Sequence, residues 1–168
     1  MSDHLISRLV EAAAARNVMV LVDPKGKDYS RYRGAALLTP NRREAAEACN
    51  LDEETPDLVN VAGNRLLSEL DLKMALITQS EEGMTLFQTG EEPIHLTAEA
   101  KETYDVTGAG DTVIACLGVA LGAGMSFVEA ARLANLSAGL VVEQVGTTAI
   151  TLDMIAPALS SESLRSNA

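Results

Sequence analysis

Apolar residues recur along the chain with two periods, and the switching between them sets out the elements. Leu5, Ile6, Leu9, Val10 and Ala13 share one helical face, which predicts an amphipathic helix over 4–16 ended by Asn17. Val18-Met-Val-Leu-Val22 is an unbroken apolar run, the mark of a strand buried on both faces of a parallel sheet, and Asp23-Pro24-Lys25-Gly26 stops it. A second short strand over 35–39 ends at Pro40, and Asn41 can cap a helix over 42–49. After a polar loop, residues 57–70 read as a helix with Leu58, Val61, Ala62, Leu66 and Leu70 facing inward. Met74–Thr78 is the next buried strand, 79–83 a turn, Met84–Gln88 its hairpin partner, and 94–97 an edge strand.

Past residue 100 the pattern turns helical. A long apolar segment follows Gly108-Ala109-Gly110, and Ser126-Phe-Val-Glu129 forms a capping box that opens a helix to about Gln144. A turn over 145–148 leads to a last short helix capped by Thr151. Helices alternating with apolar strands predict an α/β fold, a three-layer sandwich around a mostly parallel sheet. One domain is expected over 1–160, with 161–168 a disordered tail.

Composition narrows the classes. The chain has 168 residues, 47% of them hydrophobic but only 3% aromatic, so its core is aliphatic. A net charge of −11 leaves no basic stripe to neutralise nucleic-acid phosphates, although a nucleotide can still be held at a helix terminus. Cys49 and Cys116 lie in helical segments and read as buried thiols of a reducing compartment. No apolar run reaches membrane length and no secretory pattern is present, so the expectation is cytoplasmic, with no membrane partner. His4 and His95 are too few for a His/Cys metal cluster, and His95, alternating with apolar neighbours, reads as a strand residue and not a catalyst.

The chemistry concentrates in two places. Gly108 and Gly110 allow a sharp turn and close approach to a ligand, and the helix that follows presents unpaired N–H groups and the positive end of its dipole. That is an anion site with Asp111 at its mouth; locally it reads equally as an ordinary helix start with aspartate as cap. It is not a Walker loop, because no lysine follows, nor a dinucleotide fingerprint, because Val113 stands where a third glycine is needed. Asp23 and Lys25 follow the first strand, at the sheet edge where α/β proteins gather ligands; a solvated turn is the alternative. Asn41 with Glu44 is a capping arrangement in its own right.

Asp105-Val-Thr-Gly-Ala-Gly-Asp111 followed by an apolar helix resembles the second signature of the ribokinase-like carbohydrate kinases. The resemblance implies that the Gly108, Ala109 and Gly110 backbone forms an anion hole for the transferred phosphoryl group, with Asp111 as the base facing the acceptor hydroxyl. It also implies that Asn41 and Glu44 organise magnesium and phosphate, mainly through water. Thr78 and Gly83 match a turn whose backbone meets the phosphates of ATP, with Ser80 where a glycine is usual. The helix carrying Asn135 and the turn at Gly146 would flank adenine and ribose, and Asp105 and Thr107 would hold potassium. Lys25 is a further phosphate contact.

Asp23-Pro-Lys-Gly-x-Asp28, Tyr32-Arg-Gly34, Leu38-Thr-Pro-Asn41 and Ser80-Glu-x-Gly-Met84 are similar to the heptose-phosphate kinase branch of that family. This implies the anomeric hydroxyl of D-glycero-D-manno-heptose 7-phosphate as acceptor, in lipopolysaccharide precursor synthesis. Nothing here resembles the amino-terminal half that supplies the family's sugar pocket and lid. The expectation is therefore the nucleotide-binding, catalytic half of a sugar kinase, acting on ATP and a phosphorylated sugar and either self-associating or lacking that half. A non-catalytic nucleotide-binding or assembly module is the other class.

Overall fold

A computed structural model describes residues 3–99, 106–144, 146 and 148–165. It divides into two compact units, Met1–Leu96 and Thr97–Ala168.

The first unit holds helix α1 (Asp3–Ala14), strands β1 (Leu21–Val22) and β2 (Leu37–Leu38), helices α2 (Arg42–Ala48) and α3 (Leu58–Leu70), and strands β3 (Met74–Thr78), β4 (Met84–Gln88) and β5 (Ile94–Leu96). The strands form one sheet in chain order. β1, β2 and β3 are parallel, with Val22 opposite Leu38 and Leu38 opposite Ala75; β3, β4 and β5 are antiparallel, with Ala75 opposite Phe87 and Thr85 opposite His95. The expected parallel sheet is thus confined to β1–β3, and the hairpin and edge strand complete it. Left-handed Asn17 and Asp71 end α1 and α3, a conformation that asparagine and aspartate adopt more readily than most residues.

Both faces of the sheet are buried, with Leu37, Met74, Leu76 and Leu86 on one and Leu38, Ala75, Ile77 and Phe87 on the other. Leu38, Ala75, Ile77 and Phe87 are buried with Ala45 and Cys49 of α2, Ala62 and Leu66 of α3, and the edge-to-face pair Tyr29 and Tyr32. The expected amphipathic α1 is present, and two expectations change, for the run 18–22 and for Val61. The apolar face of α1 is only half covered: Val10 is buried, but Leu5 and Leu9 are each 52% exposed. The run 18–22 is not buried on both faces either, because β1 stands at the sheet edge and Val18 and Met19 reach solvent. Val61 is exposed, and the turn of α3 that approaches the sheet closely uses Gly63 instead.

The second unit holds α4 (Ala109–Gly122), α5 (Phe127–Val142) and α6 (Leu152–Arg165). The Ser126–Glu129 capping box is present, with both reciprocal hydrogen bonds made. α4 and α5 pack as a hairpin, with Leu117, Ala120, Ala130, Ala131 and Ala134 buried. Cys49 and Cys116 are free and buried, as read from the sequence. α6 continues to Arg165, through residues expected in a disordered tail over 161–168.

A Cβ placed on Gly63 would come within 2.5 Å of the buried Phe87 ring. Alanine at 63 gains about 1 kcal/mol of helix propensity but overpacks a filled site, which costs about 1–3 kcal/mol. The expected outcome for Gly63→Ala is net destabilisation by roughly 1 kcal/mol in urea unfolding; a more stable variant would mean the helix and ring separate freely.

Candidate active site

Parallel strands end at a common edge, and that is how the first unit assembles its polar groups. Lys25 follows β1, Asn41 follows β2 and Thr78 closes β3. Asn41 and Thr78 form an isolated parallel bridge, and the Thr78 N–H donates to Pro40 O at 3.0 Å. The Asn41 side chain accepts from the Glu44 N–H and Glu44 Oε2 accepts from the Asn41 N–H, each at 2.9 Å. Glu44 Oε1 lies 3.7 Å from Lys25 Nζ, which is 2.9 Å from Asp23 Oδ2. The hydrogen bond that Lys25 donates to Asp23, aided by both carboxylates' charge, holds its ammonium above the ordinary lysine range. Lys25, Asn41, Glu44 and Thr78 therefore converge.

Beside Asn41 and Thr78 lies a cavity of about 590 Å³, also lined by Arg42, Arg43, Ser80 and Glu82. Arg42 and Arg43 belong to no motif, yet they are the first two residues of α2, where the helix dipole disfavours cations. There Arg42 lies 4.0 Å from Glu82 and Arg43 pairs with Glu47 at 3.0 Å.

The turn 79–83 is tight. The Gln79 N–H donates to Gly83 O at 2.8 Å and the Gly83 N–H to Ser80 O at 3.0 Å. Gly83 has φ +96°, as a glycine can, and Ser80 has φ +54°. Serine thus adopts the left-handed backbone for which glycine is usual, keeping the turn's shape at a cost of about 1–2 kcal/mol.

In the second unit Gly108 is left-handed (φ +84°) and opens α4. The Ala109 N–H donates to Val106 O, and the Thr112 N–H and hydroxyl both donate to Gly108 O at 2.9 Å. The N–H groups of Gly110 and Asp111 precede the helical ladder, so of the expected Gly108–Asp111 cradle these two are best placed to face a ligand. A Cβ on Gly110 would meet nothing within 4 Å, and Asp111 is exposed in the first turn. Thr107 stands in the turn before α4, while Asp105 lies outside the described residues. Asn135 is buried and donates through Nδ2 to Thr97 O at 2.7 Å, so its amide ties α5 to the segment after β5. Gly146, at φ +82°, follows α5.

Among the described residues no group of three or more His, Cys, Asp or Glu could hold a metal. The Asn41–Glu44 oxygens, with Asp23, are hard donors already engaged by protein N–H groups or Lys25. They fit a hydrated magnesium ion held through water, not an enclosed one.

The first unit thus presents cations and hydroxyls at a sheet edge, and the second presents a glycine-started helix with open amides. The sequence profile of pfkB family carbohydrate kinases matches residues 1–154, and the chain belongs to that family. It is 48% identical over 147 residues to the bifunctional protein HldE of Geobacter sulfurreducens, covering 88% of this chain and 30% of that protein. It is 49% identical over 154 residues to the bifunctional protein HldE of Pseudomonas aeruginosa, covering 92% and 32%. Ribokinase of Arabidopsis thaliana, solved with ribose and ATP, matches with a TM-score of 0.77 at 29% identity, over 87% of this chain and 48% of that one. Phosphofructokinase-2 of Escherichia coli, solved with potassium, matches at 0.83 and 20%, over 95% and 53%. The fold is ribokinase-like. The chain spans about a third of the length of these curated relatives and about half of the solved kinases. No helix among the described residues is long and apolar enough to cross a membrane.

Ser80→Gly removes a left-handed strain of about 1–2 kcal/mol and adds about 0.5–1 kcal/mol of unfolded-state entropy. The net expectation is a gain of about 0.5–1 kcal/mol in urea unfolding; a loss would show that Ser80 is not strained.

Proposed function

We propose that this chain is the nucleotide-binding, catalytic-base part of a sugar kinase, transferring the γ-phosphoryl group of ATP to a sugar hydroxyl. The observation that carries this reading is the mouth of α4, where Gly108 turns, the Gly110 and Asp111 amides precede the helical ladder, and no protein atom occupies the space beside Gly110. The motif resemblance to heptose-phosphate kinases, with near-half identity to HldE proteins, favours D-glycero-D-manno-heptose 7-phosphate as acceptor, reacting at its anomeric hydroxyl. We take 1–160 as this functional part and the cytoplasm as its place.

Phosphoryl transfer passes through a loose transition state, so alignment and charge stabilisation matter more than a strong base. The Gly110 and Asp111 amides hold the phosphoryl oxygens, fixed dipoles that need no reorganisation as charge develops. Asp111 accepts the proton of the attacking hydroxyl. Lys25 keeps its charge and contacts phosphate. Thr78 and Gly83 shape the turn against the other phosphates, and Asn41 and Glu44 orient the water shell of magnesium, which supplies charge neutralisation when bound. Asn135 and Gly146 flank the nucleoside, and Thr107 with Asp105 holds potassium.

The acceptor pocket belongs to the remaining part of the kinase fold. The open β1 edge, with Val18, Met19, Leu5 and Leu9 exposed beside it, is where we place the continuation of the sheet by that part. Half of the solved kinases' length remains to supply it.

Two measurements test the reading. Gly110→Ala fills open space on a helix, so it should preserve or raise stability while weakening ATP binding in calorimetry at least about tenfold, a steric effect at the ligand. Unchanged affinity would remove the anion hole. In the complete enzyme, Asp111→Asn should keep nucleotide affinity and lower kcat by about 10²–10⁴-fold. Near-normal turnover would sink the base assignment. The chain alone should bind ATP without phosphorylating heptose 7-phosphate, because acceptor positioning is worth about 7–11 kcal/mol; binding without turnover in the complete enzyme as well would favour the non-catalytic module.

A further inference from the structure

The strained turn 79–83 is braced from behind by a directional chain of side chains. Thr85, on β4, is 6% exposed. Its hydroxyl donates to Gln79 Oε1 at 2.6 Å and lies 3.1 Å from Nδ1 of His95, its cross-strand partner on β5. Gln79 Nε2 donates to Glu82 Oε2 at 3.2 Å, and that oxygen lies 4.0 Å from Arg42 Nη1. The direction follows from donor counting. Turning the Gln79 amide over would point its oxygen at the Glu82 carboxylate, so its oxygen must face Thr85. The Thr85 hydroxyl has one proton, and Gln79 takes it. At His95 the hydroxyl can only accept, so Nδ1 must carry the hydrogen.

We propose that His95, Thr85 and Glu82 are positioning residues that hold the Gln79–Gly83 turn in its phosphate-facing shape, with His95 fixed as its Nδ1–H tautomer. A left-handed serine persists only where its surroundings over-determine it. Backbone hydrogen bonds tie the turn to itself; the side-chain relay ties it to β4, β5 and the start of α2. Gln79, Glu82 and Arg42 form the wall between the cavity beside Asn41 and a second depression reaching Thr85 and His95. A change at His95 is thereby transmitted to the turn without touching a ligand. The inference rests on the proposed nucleotide role of this turn, and its test separates the two.

The chain contains two histidines, so ¹⁵N spectra of the imidazoles resolve His95 against His4. His95 is expected as the Nδ1–H tautomer, whereas a free side chain favours Nε2–H. Thr85→Val keeps shape and removes the hydroxyl; it should speed amide hydrogen exchange at Gly83 and weaken ATP binding, each by about tenfold, the size of one net hydrogen bond. Thr85→Ser should restore both. An Nε2–H tautomer at His95, or Gly83 exchange unchanged in a folded Thr85→Val variant, overturns the proposal. If the wild-type chain binds no ATP while the tautomer and exchange results hold, the relay stands and the nucleotide reading of the turn fails.

Discussion

Val22, Leu38 and Ala75 lie side by side across three parallel strands, and this pairing decides where the first unit gathers its polar groups. Because the strands run the same way, the residues after each emerge at one edge, and the chain leaves it through Asp23-Pro24, Pro40-Asn41 and Thr78-Gln79. Each exit is polar or proline-stopped, so the edge is lined by groups that cannot continue a sheet. A one-residue slip of β3 against β2 would turn Ala75 and Ile77 away from α2 and α3 and move Thr78 off Asn41. Burial of Leu38, Ile77 and Phe87 on the helix-covered face therefore fixes the polar edge as well as the core.

The same local device serves structure and site at α2. Asn41 and Glu44 satisfy each other's backbone N–H groups, which a short helix needs, since seven residues supply few internal hydrogen bonds. A carboxylate and an amide oxygen retain lone pairs after accepting one bond each. Glu44 can thus cap the helix, pair with Lys25 and still meet a water molecule. On the proposed reading the cap therefore leaves acceptor capacity in place before a ligand arrives, which is the sense in which this corner is preorganised.

Legibility in the sequence followed the range of the interaction. β3 and β4, both capping boxes and the left-handed end of α1 at Asn17 were readable because they rest on contacts within a few residues. Val18, Met19 and Val61 were misread as buried because an apolar pattern reports a face and not whether a partner covers it. Gly63 was overlooked for the opposite reason: a residue without a side chain has no hydropathy signal, yet only it fits against Phe87. At the site, Gly108-Ala-Gly-Asp111 carried its own local cue, while Thr85 and Gln79 had none, being joined to His95 only by strand pairing.

The cations at this polar edge of an acidic protein are already paired. Arg43 is paired with Glu47 at 3.0 Å, Lys25 with Asp23, and Arg42 stands at the edge of pairing with Glu82. These pairs are mostly solvent-exposed, and such pairs contribute only about 0.2–1 kcal/mol, so they orient the cations without holding them tightly. A phosphate group, carrying more charge than one carboxylate and reaching several donors at once, exchanges with these partners at small cost. A net charge of −11 sets a long-range field that opposes anions but is screened beyond about 8–10 Å at ordinary salt, so on the proposed reading the cations of this edge act on an anion at short range.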